Sequence, residues 1–176
     1  NFLYDIVSPD HTKRNKTLGS CGVMAASILN ELFQQDKLRL MWNVIKRGLL
    51  VYRKTVWLEK YAGRSFPFGI IVKDYAERTY FGDEQYHGAV VWPRDTPFLI
   101  RLLELLGEEE VIKGLLISNL DHQMGEGTVF YNQELFSLPV GKNPSPIKEF
   151  ESNPVPVKNP AQFWSHWVDP FLNYKI

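Results

Sequence analysis

Hydrophobic positions near the start of the chain repeat with the period of an α-helix. Met24, Ile28 and Leu32 recur at four-residue steps, which predicts a first helix over residues 20–34. Asp36 can cap a second helix, because its carboxylate can accept hydrogen bonds from the free N–H groups of a first turn. The apolar face of that second helix consists of Leu38, Met41, Trp42, Ile45 and Leu49. The short turn between the two helices predicts an antiparallel helical hairpin.

A second helical hairpin is predicted further along the chain. Thr96 and Pro97 form a helix-start signal, and apolar residues then follow at helical spacing until Gly107 ends the helix. Three glutamates at 108–110 begin a fourth helix, where their negative charge interacts favourably with the positive end of the helix dipole. The apolar stripe of this fourth helix consists of Val111, Ile112, Leu115, Leu116 and Leu120.

A long segment of irregular pattern follows each predicted hairpin. Residues 52–91 contain four glycines, many aromatic side chains and short β-favouring pieces at 55–58 and 69–72. Residues 125–157 contain five prolines, which exclude a regular helix through most of that segment. Segments of this length in a compact domain are usually functional or disordered, and the aromatic content argues against disorder.

The chain ends with a last predicted helix, which Asn159 and Pro160 begin and which Pro170 kinks or ends. Its apolar face consists of Phe163, Trp167 and Phe171. The whole pattern predicts an all-α fold of helical hairpins with long loops and short β pieces, forming a single unit over residues 1–176. Because five helices are too few to close a large ring, we expect another chain segment or self-association to cover the apolar ends of the unit.

Composition and charge exclude several classes of protein. Twenty basic and twenty acidic residues give a net charge of zero, so charge provides no reason to expect a nucleic acid or an anionic membrane as partner. No run of roughly 18 apolar residues could span a membrane, and the first residues lack the pattern of a signal peptide. The single Cys21 excludes an intrachain disulfide and is expected to be a small buried hydrophobe rather than a reactive thiol.

Metal and cofactor sites are not indicated either. The four histidines, at positions 11, 87, 122 and 166, have no metal-ligand spacing, and no glycine-rich phosphate loop is present. We therefore predict a soluble, cytoplasmic protein with no metal, no cofactor, no nucleic-acid partner and no membrane partner.

Aromatic residues make up 14% of the chain, and several lie beside polar residues in the predicted loops. Tyr86 and Trp92 could pack against the apolar face of a sugar ring, while His87, Arg94 and Asp95 could form hydrogen bonds with its hydroxyl groups. The same residues allow a structural interpretation. Trp92 would then be a core side chain before the third helix, with Arg94 and Asp95 as solvent-facing residues at the start of that helix.

Glu134 lies among aromatic and amide side chains in the second long segment. A carboxylate held by such neighbours can accept a proton from water, which is the role of the general base in a glycosidase. Glu126, between Gly125 and Gly127, is the alternative carboxylate, although an exposed turn position also explains it.

Four motifs in order resemble the C-terminal part of the amylo-α-1,6-glucosidase domain of glycogen debranching enzymes. They are LYDIV near the start, YHGAVVWPRDT in the middle, GTVFYNQELF after the fourth helix and NPAQFWSHWVDPFL at the end. The family pattern there is approximately LYDV, YHNGTVWPW, G-S-x-x-E-x-F and P-A-Q-x-W. The resemblance spans nearly the whole chain, and it implies an (α/α)6 toroid whose C-terminal portion is this chain and whose upstream hairpins lie outside it.

The resemblance also implies a reaction and its residues. The reaction is hydrolysis, with inversion, of the α-1,6-linked glucose branches of a glycogen-like glucan, and the family's general base falls on Glu134. Residues matching the sugar-site wall and the final helix are Tyr86, His87, Trp92, Gln162 and Trp164, and Asp5 matches the aspartate of LYDV. The general acid is expected on an upstream hairpin, and Glu84 and Asp95 are candidates only by their proximity to the motif.

Two alternatives remain open from the sequence. The chain could be a non-catalytic glycan-binding or assembly module that keeps the aromatic wall. It could also carry trehalase or glycoside phosphorylase chemistry on the same scaffold, since the DEQYH run resembles the acid-bearing DEYH of the phosphorylases, with Gln85 inserted. Under the hydrolase interpretation we expect the chain to be inactive without the upstream hairpins.

Overall fold

A computed structural model describes residues 3, 6–74, 80, 82–139, 152–167 and 169–175. The fold is mixed α/β, so the all-α prediction of helical hairpins forming part of a toroid is wrong. The helices in the described part of the chain are α1 (Ser20–Ile28), α2 (Gln35–Gly48), α3 (Thr96–Leu106), α4 (Glu109–Gly125) and α5 (Asp169–Asn173). None of the helices found in these residues is long and apolar enough to cross a lipid bilayer.

Within the described residues, three small antiparallel sheets accompany the helices. The first joins β1 (Ile6–Val7) to β2 (Arg14–Asn15), and the second joins β3 (Leu50–Lys54) to β4 (Ser65–Ile70). The third sheet has the order β5 (Val90–Val91), β6 (Leu135–Ser137) and β7 (Val155–Val157). Because β5, β6 and β7 are far apart in sequence, the third sheet brings together the segments that contain the candidate site.

The β3–β4 hairpin shows why an all-α fold was the wrong prediction. It pairs from Leu50 opposite Ile70 to Lys54 opposite Ser65, with a bulge between Val51 and Tyr52. Helix α4 packs across β4, so a sheet rather than another helix covers much of its inner face. The sequence predicted an irregular segment here, because β3 ends in two basic residues and β4 contains Pro67 and Gly69, residue types that are rare inside strands.

Helices α3 and α4 confirm the second predicted hairpin. They pack against each other, and Gly107 ends α3 in the left-handed conformation, with a φ of 72°. The first predicted hairpin is wrong, because α1 packs mainly on α3, whereas α2 packs on α3 and β3. Helix α1 also ends at Ile28, and a 3-10 turn over Asn30–Leu32 follows it.

The last predicted helix is wrong as well. A 3-10 turn covers Phe163–Ser165, and α5 begins only at Asp169. The Phe163 side chain is 87% exposed, so it does not share a buried face with Trp167. Pro170 is the second residue of α5, a position where its missing N–H breaks no helical hydrogen bond, so it lies at the start of a helix rather than ending one.

The hydrophobic core has two parts. The larger cluster fills the space between α2, α3, α4 and the β3–β4 hairpin. The smaller cluster comprises Val72, Val90, Trp92 and Leu135, with Tyr80, Tyr86 and Val157 packed against it. This smaller cluster lies under the third sheet and supports the candidate site.

We predict that Gly114→Ala destabilises the protein, because α4 approaches β4 closely at this glycine. A Cβ atom on Gly114 would lie 2.7 Å from Pro67 Cδ and 3.6 Å from Phe66 Cδ1. We expect the free energy of unfolding to fall by about 1–3 kcal/mol in urea titration, as is typical of overpacking, although alanine is the better helix former. Asn43→Ala on the exposed side of α2 is the control, and equal stability of the two variants would contradict the close approach.

Candidate functional site

A cleft of about 380 Å³ opens where β6 begins and β7 ends. Glu134 immediately precedes β6, and its backbone N–H donates to the Asn159 carbonyl oxygen at 3.0 Å. The residues that line the cleft are Asp83, Tyr86, His87, Glu134, Lys158 and Asn159. The antiparallel pairing of β6 with β7 therefore brings Glu134 next to Lys158 and Asn159, which are distant from it in sequence.

The Glu134 carboxylate lies at the bottom of this cleft and is held at both oxygens. The residue is 3% exposed. Its Oε1 accepts a hydrogen bond from the Tyr86 hydroxyl, and its Oε2 accepts one from Asn159 Nδ2 at 2.7 Å. Both donors are neutral, and no cation among the described residues is paired with this carboxylate. The donors therefore fix its orientation without neutralising its charge.

The aromatic wall of the cleft has an outer layer, formed by the half-buried Tyr86 and the exposed His87, and a buried layer. Trp92 is 1% exposed and lies behind the wall, where its indole N–H donates to the Tyr86 carbonyl oxygen at 3.0 Å. The His87 ring is nearly parallel to Trp92, at 15° and 5.6 Å between centroids, and Tyr86 meets Trp92 edge-on at 4.7 Å. Arg94 lies over the Trp92 ring at 3.7 Å. Tyr86 and His87 can thus reach a ligand, whereas Trp92 supports them as a core side chain.

The rim of the cleft carries an ion pair that the sequence did not predict. Lys158 donates a hydrogen bond to the Asp83 carboxylate, which also accepts one from the Tyr80 hydroxyl at 2.8 Å. The Lys158 ammonium also lies 5.8 Å from the centre of the Tyr86 ring. The bond to Asp83 raises the pKa of Lys158, and the bond from Lys158 lowers the pKa of Asp83. Both groups therefore remain charged over a wider pH range than usual.

A buried ionic network lies behind the loop that leads to Glu134. The buried guanidinium of Arg53 on β3 donates to Asp121 Oδ2 at 3.2 Å and to Glu126 Oε2 at 3.1 Å. Asp121 also accepts hydrogen bonds of 2.7–3.1 Å from the backbone N–H groups of residues 56–58. The network ties the end of α4 to β3 and to the turn that follows β3.

The prediction of an exposed turn at Glu126 is wrong. Its carboxylate lies 2.9 Å from His122 Nδ1 and is paired with Arg53. Burial alone would raise the pKa of Glu126, but the bonds from His122 and Arg53 outweigh it and lower this pKa. Burial also lowers the pKa of His122, which keeps the ring neutral. Glu126 is therefore a structural carboxylate of the loop and is not exposed as a second base.

Amide side chains fix the remainder of the loop. Gln123 Nε2 donates to Asn132 Oδ1 at 2.9 Å, and Asn132 Nδ2 donates to the Ser165 carbonyl oxygen at 2.7 Å. The Ser165 hydroxyl donates to the Glu134 carbonyl oxygen at 3.3 Å. The residues that place Glu134 thus come from α4 and from the 3-10 turn over Phe163–Ser165. They are buried polar residues on otherwise apolar elements, which is the signal that could have identified them.

Asp95 and Gln162 are not among the residues that line the cleft. Asp95 is buried at the start of α3 with Arg94 Nε 3.4 Å from its Oδ1, and burial raises the pKa of its carboxyl group. Asp95 is thus not the solvent-facing residue of the structural interpretation. The backbone N–H of Gln162 donates to the Asn132 carbonyl oxygen at 3.1 Å. Trp164 belongs to the 3-10 turn that follows, and its side chain lies outside the described part of the structure.

The remaining sequence predictions concern Glu84, Asp5, Cys21 and a metal site. Glu84 is an exposed residue of the 3-10 turn Asp83–Gln85, and Asp5 lies outside the described residues. Cys21 is exposed, so the prediction that it is buried is wrong. Within the residues that the structure describes, no three His, Cys, Asp or Glu side chains are grouped closely enough to hold a metal ion.

No protein-family model, curated protein or solved structure matches this chain. The functional interpretation therefore depends on the cleft itself. Its chemistry combines an oriented, buried carboxylate with an aromatic wall and a charged rim. This arrangement can bind a neutral, polyhydroxylated ligand and can place a base beside it.

We predict that Arg53→Met strongly destabilises the protein, because it leaves Asp121 buried without its cationic partner. Removing one partner of a buried ion pair lowers the free energy of unfolding by about 3–5 kcal/mol. Arg47→Met, at an exposed position of α2, is the control and should change stability by less than about 0.5 kcal/mol. Chemical denaturation of the two variants compares them, and a small effect of Arg53→Met would show that the network does not hold α4 to β3.

Proposed function

We propose that the cleft around Glu134 is the water-activating half of a glycoside hydrolase site for α-glucan. The observation that carries the proposal is the Glu134 carboxylate, which is buried and held by two neutral side-chain donors beside the half-buried Tyr86 ring and the exposed His87 ring. The sequence resemblance to amylo-α-1,6-glucosidases points to the same residue. The proposed reaction is hydrolysis of α-1,6 branches of a glycogen-like glucan with inversion.

In this proposal Glu134 is the general base. A carboxylate has about four acceptor positions, and Tyr86 and Asn159 use only some of them, so a water molecule can still donate to this group. Glu134 would take a proton from that water as the water oxygen attacks the anomeric carbon. Tyr86 and Asn159 hold the carboxylate in place for this step.

The rest of the cleft supplies binding groups for the sugar. The faces of Tyr86 and His87 can pack against the apolar C–H face of a glucose ring. Asp83 and Lys158 at the rim offer an acceptor and donors to hydroxyl groups. These groups suit a neutral carbohydrate, because the rim ion pair presents both charges side by side.

Inversion requires a second carboxyl group as general acid, roughly 6.5–9.5 Å from the base. Asp83 is unsuited to that role, because its bond from Lys158 lowers its pKa and keeps it ionised. We therefore propose that the acid comes from another segment of the same enzyme or from a second copy of the chain. Exposed apolar side chains near α1 and α2 provide a surface that such a segment, or a second copy of the chain, would cover; they are Ile28, Leu29, Leu32 and Leu40.

A cytoplasmic location belongs to the same proposal. Cys21 is a free, exposed thiol, which suits a reducing compartment. Storage glucan in that compartment would be the substrate.

The second candidate function is a glycan-binding module without hydrolysis. The observation that favours it is the occupation of both Glu134 oxygens together with the low exposure of this residue. In such a module Glu134 would anchor the wall residue Tyr86 and would not activate water. Glucose release distinguishes the two functions, because both predict oligosaccharide binding and only the first predicts turnover.

We predict that Glu134→Gln in the full-length protein lowers glucose release from a branched dextrin by roughly 10²–10⁴-fold. The amide can satisfy both neighbours, because its oxygen can accept from Asn159 Nδ2 and its NH2 group can donate to the Tyr86 hydroxyl oxygen, so oligosaccharide binding and the thermal midpoint should change little. Glu59→Gln, at an exposed position, is the matched control and should keep full turnover. Near-normal turnover of Glu134→Gln would reject the general-base role, and binding without any glucose release by the wild type would favour the module.

We also predict that Lys158→Met raises KM for the dextrin about tenfold while kcat changes little. The ammonium would contribute a charged hydrogen bond to the bound sugar, and losing such a bond weakens binding by about 1.5 kcal/mol or more. Lys113→Met is the control, because Lys113 forms a comparable surface ion pair with Glu110 on the first turns of α4. Equal KM values for the two variants would exclude the rim pair from substrate binding.

A further inference from the structure

His122 connects the buried network to the residue next to Glu134. It is fully buried near the end of α4, and the Phe136 and Phe68 rings meet it edge-on at 4.6 and 6.3 Å. Its Nδ1 lies 2.9 Å from Glu126 Oε2. The backbone N–H of Gln133 donates to its Nε2 at 3.3 Å. Both ring nitrogens therefore have hydrogen-bond partners, and Nε2 is bonded to the backbone N–H of Gln133, the residue before Glu134.

These two bonds require a single form of the ring. A backbone N–H can only donate, so Nε2 must be without a proton to accept from Gln133. The Glu126 carboxylate can only accept while it is ionised, so Nδ1 must carry the proton. The neutral imidazole protonated at Nδ1 meets both conditions, and neither the other tautomer nor the imidazolium does.

The hydrogen bond from the Gln133 backbone N–H lies directly beside the backbone hydrogen bonds that fix Glu134. Glu134 itself is fixed on one side by its N–H bond to Asn159 and on the other by the Ser165 hydroxyl at its carbonyl oxygen. A protonated His122 would direct an N–H at the N–H of Gln133. Two donors that face each other repel, so the ring or the 132–134 segment would have to move.

We propose that His122 is a positioning residue for Glu134. The neutral ring holds Glu134 in place by accepting a hydrogen bond from the backbone N–H of Gln133, and uptake of a proton by the ring breaks this bond. The catalytic part of this inference depends on the function proposed above for Glu134. The structural part is that protonation of His122 breaks its hydrogen bond with the backbone N–H of Gln133, and this part is independent of any activity.

Burial and the charges around His122 determine the pH at which the ring takes up a proton and its hydrogen bond with the Gln133 backbone N–H breaks. Burial of the ring lowers its pKa most strongly, and Arg53 lowers it further. Glu126 and Asp121 act in the opposite direction, and the net effect is a pKa below the ordinary value of 6.5. The ring is therefore neutral at pH 7. Because the unfolded chain binds the proton more readily, the stability contributed by neutral His122 is present above pH 6.5 and is lost as the pH falls towards the pKa of the folded state.

Nuclear magnetic resonance of the full-length protein with ¹⁵N-labelled histidine, glutamine and glutamate tests the structural part directly. At pH 7 we expect His122 to show the Nδ1-protonated tautomer. On acidification we expect the amide signals of Gln133 and Glu134 to move with the same midpoint as the His122 ring. A ring that titrates without moving the Gln133 amide would overturn the proposal, whether or not the protein releases glucose.

Two variants separate positioning from simple structural support. Glu126→Gln removes a charge that favours the imidazolium, so the midpoint of the Gln133 amide and the acid limb of kcat should both shift to lower pH. His122→Phe keeps the ring shape but removes the acceptor, so kcat at pH 7 should fall about 10²-fold with little change in KM. His11→Gln, on the surface, is the control. If Glu126→Gln leaves the acid limb of the kcat–pH profile unchanged, His122 has no role in catalysis. If it leaves the midpoint of the Gln133 backbone amide signal unchanged, protonation of His122 does not control that N–H. Both outcomes can be read even if His122→Phe fails to fold.

Discussion

The cleft depends on one positive charge that the fold buries. Arg53 lies in the core on β3, where an unpaired guanidinium would be strongly unfavourable. Asp121 and Glu126 pair with it, and both are placed by α4: one lies in its last turns and the other follows its last residue. Because the pairing fixes where α4 ends, it also fixes where the loop to Glu134 begins.

The second half of α4 extends this constraint to the rest of the molecule. Five of its buried side chains are polar: Ser118, Asn119, Asp121, His122 and Gln123. Each forms a hydrogen bond with another part of the chain, including β4, the turn after β3 and the loop between α4 and β6. Apolar packing could hold α4 in several similar positions, whereas these directional bonds permit one. The helix is thus the element that aligns the third sheet and its cleft with the core.

Much of this arrangement could not be predicted from the sequence. The second helical hairpin was clear, because Thr96–Pro97 and Gly107 are strong local signals and the leucine spacing is regular. The sheets were missed because β3 ends in two basic residues and β4 contains a proline and a glycine, and the third sheet has strands of only two or three residues from distant segments. The last helix was overpredicted because its apolar spacing resembles a helix although Phe163 faces solvent. Local pattern therefore succeeded only where local interactions dominate.

The candidate site shows the same division. The order of motifs identified Glu134, Tyr86 and His87, and the fold brings these three into one cleft. Lys158 and Asn159 were not recognised as cleft residues, because only the pairing of β6 with β7 places them beside Glu134. The sequence allowed Trp92 to be either a sugar contact or a core side chain, and its burial makes it a core side chain that supports the wall. Residue type thus suggests chemistry, and long-range strand pairing decides which groups meet.

The most direct test of the account is a crystal structure of the full-length Glu134→Gln variant with a bound branched maltooligosaccharide. The account predicts a glucose ring packed against Tyr86 and His87, with a water molecule within about 3.2 Å of both the substituted side chain and the anomeric carbon. An oligosaccharide bound elsewhere, or a side chain at position 134 turned away from the sugar, would contradict it.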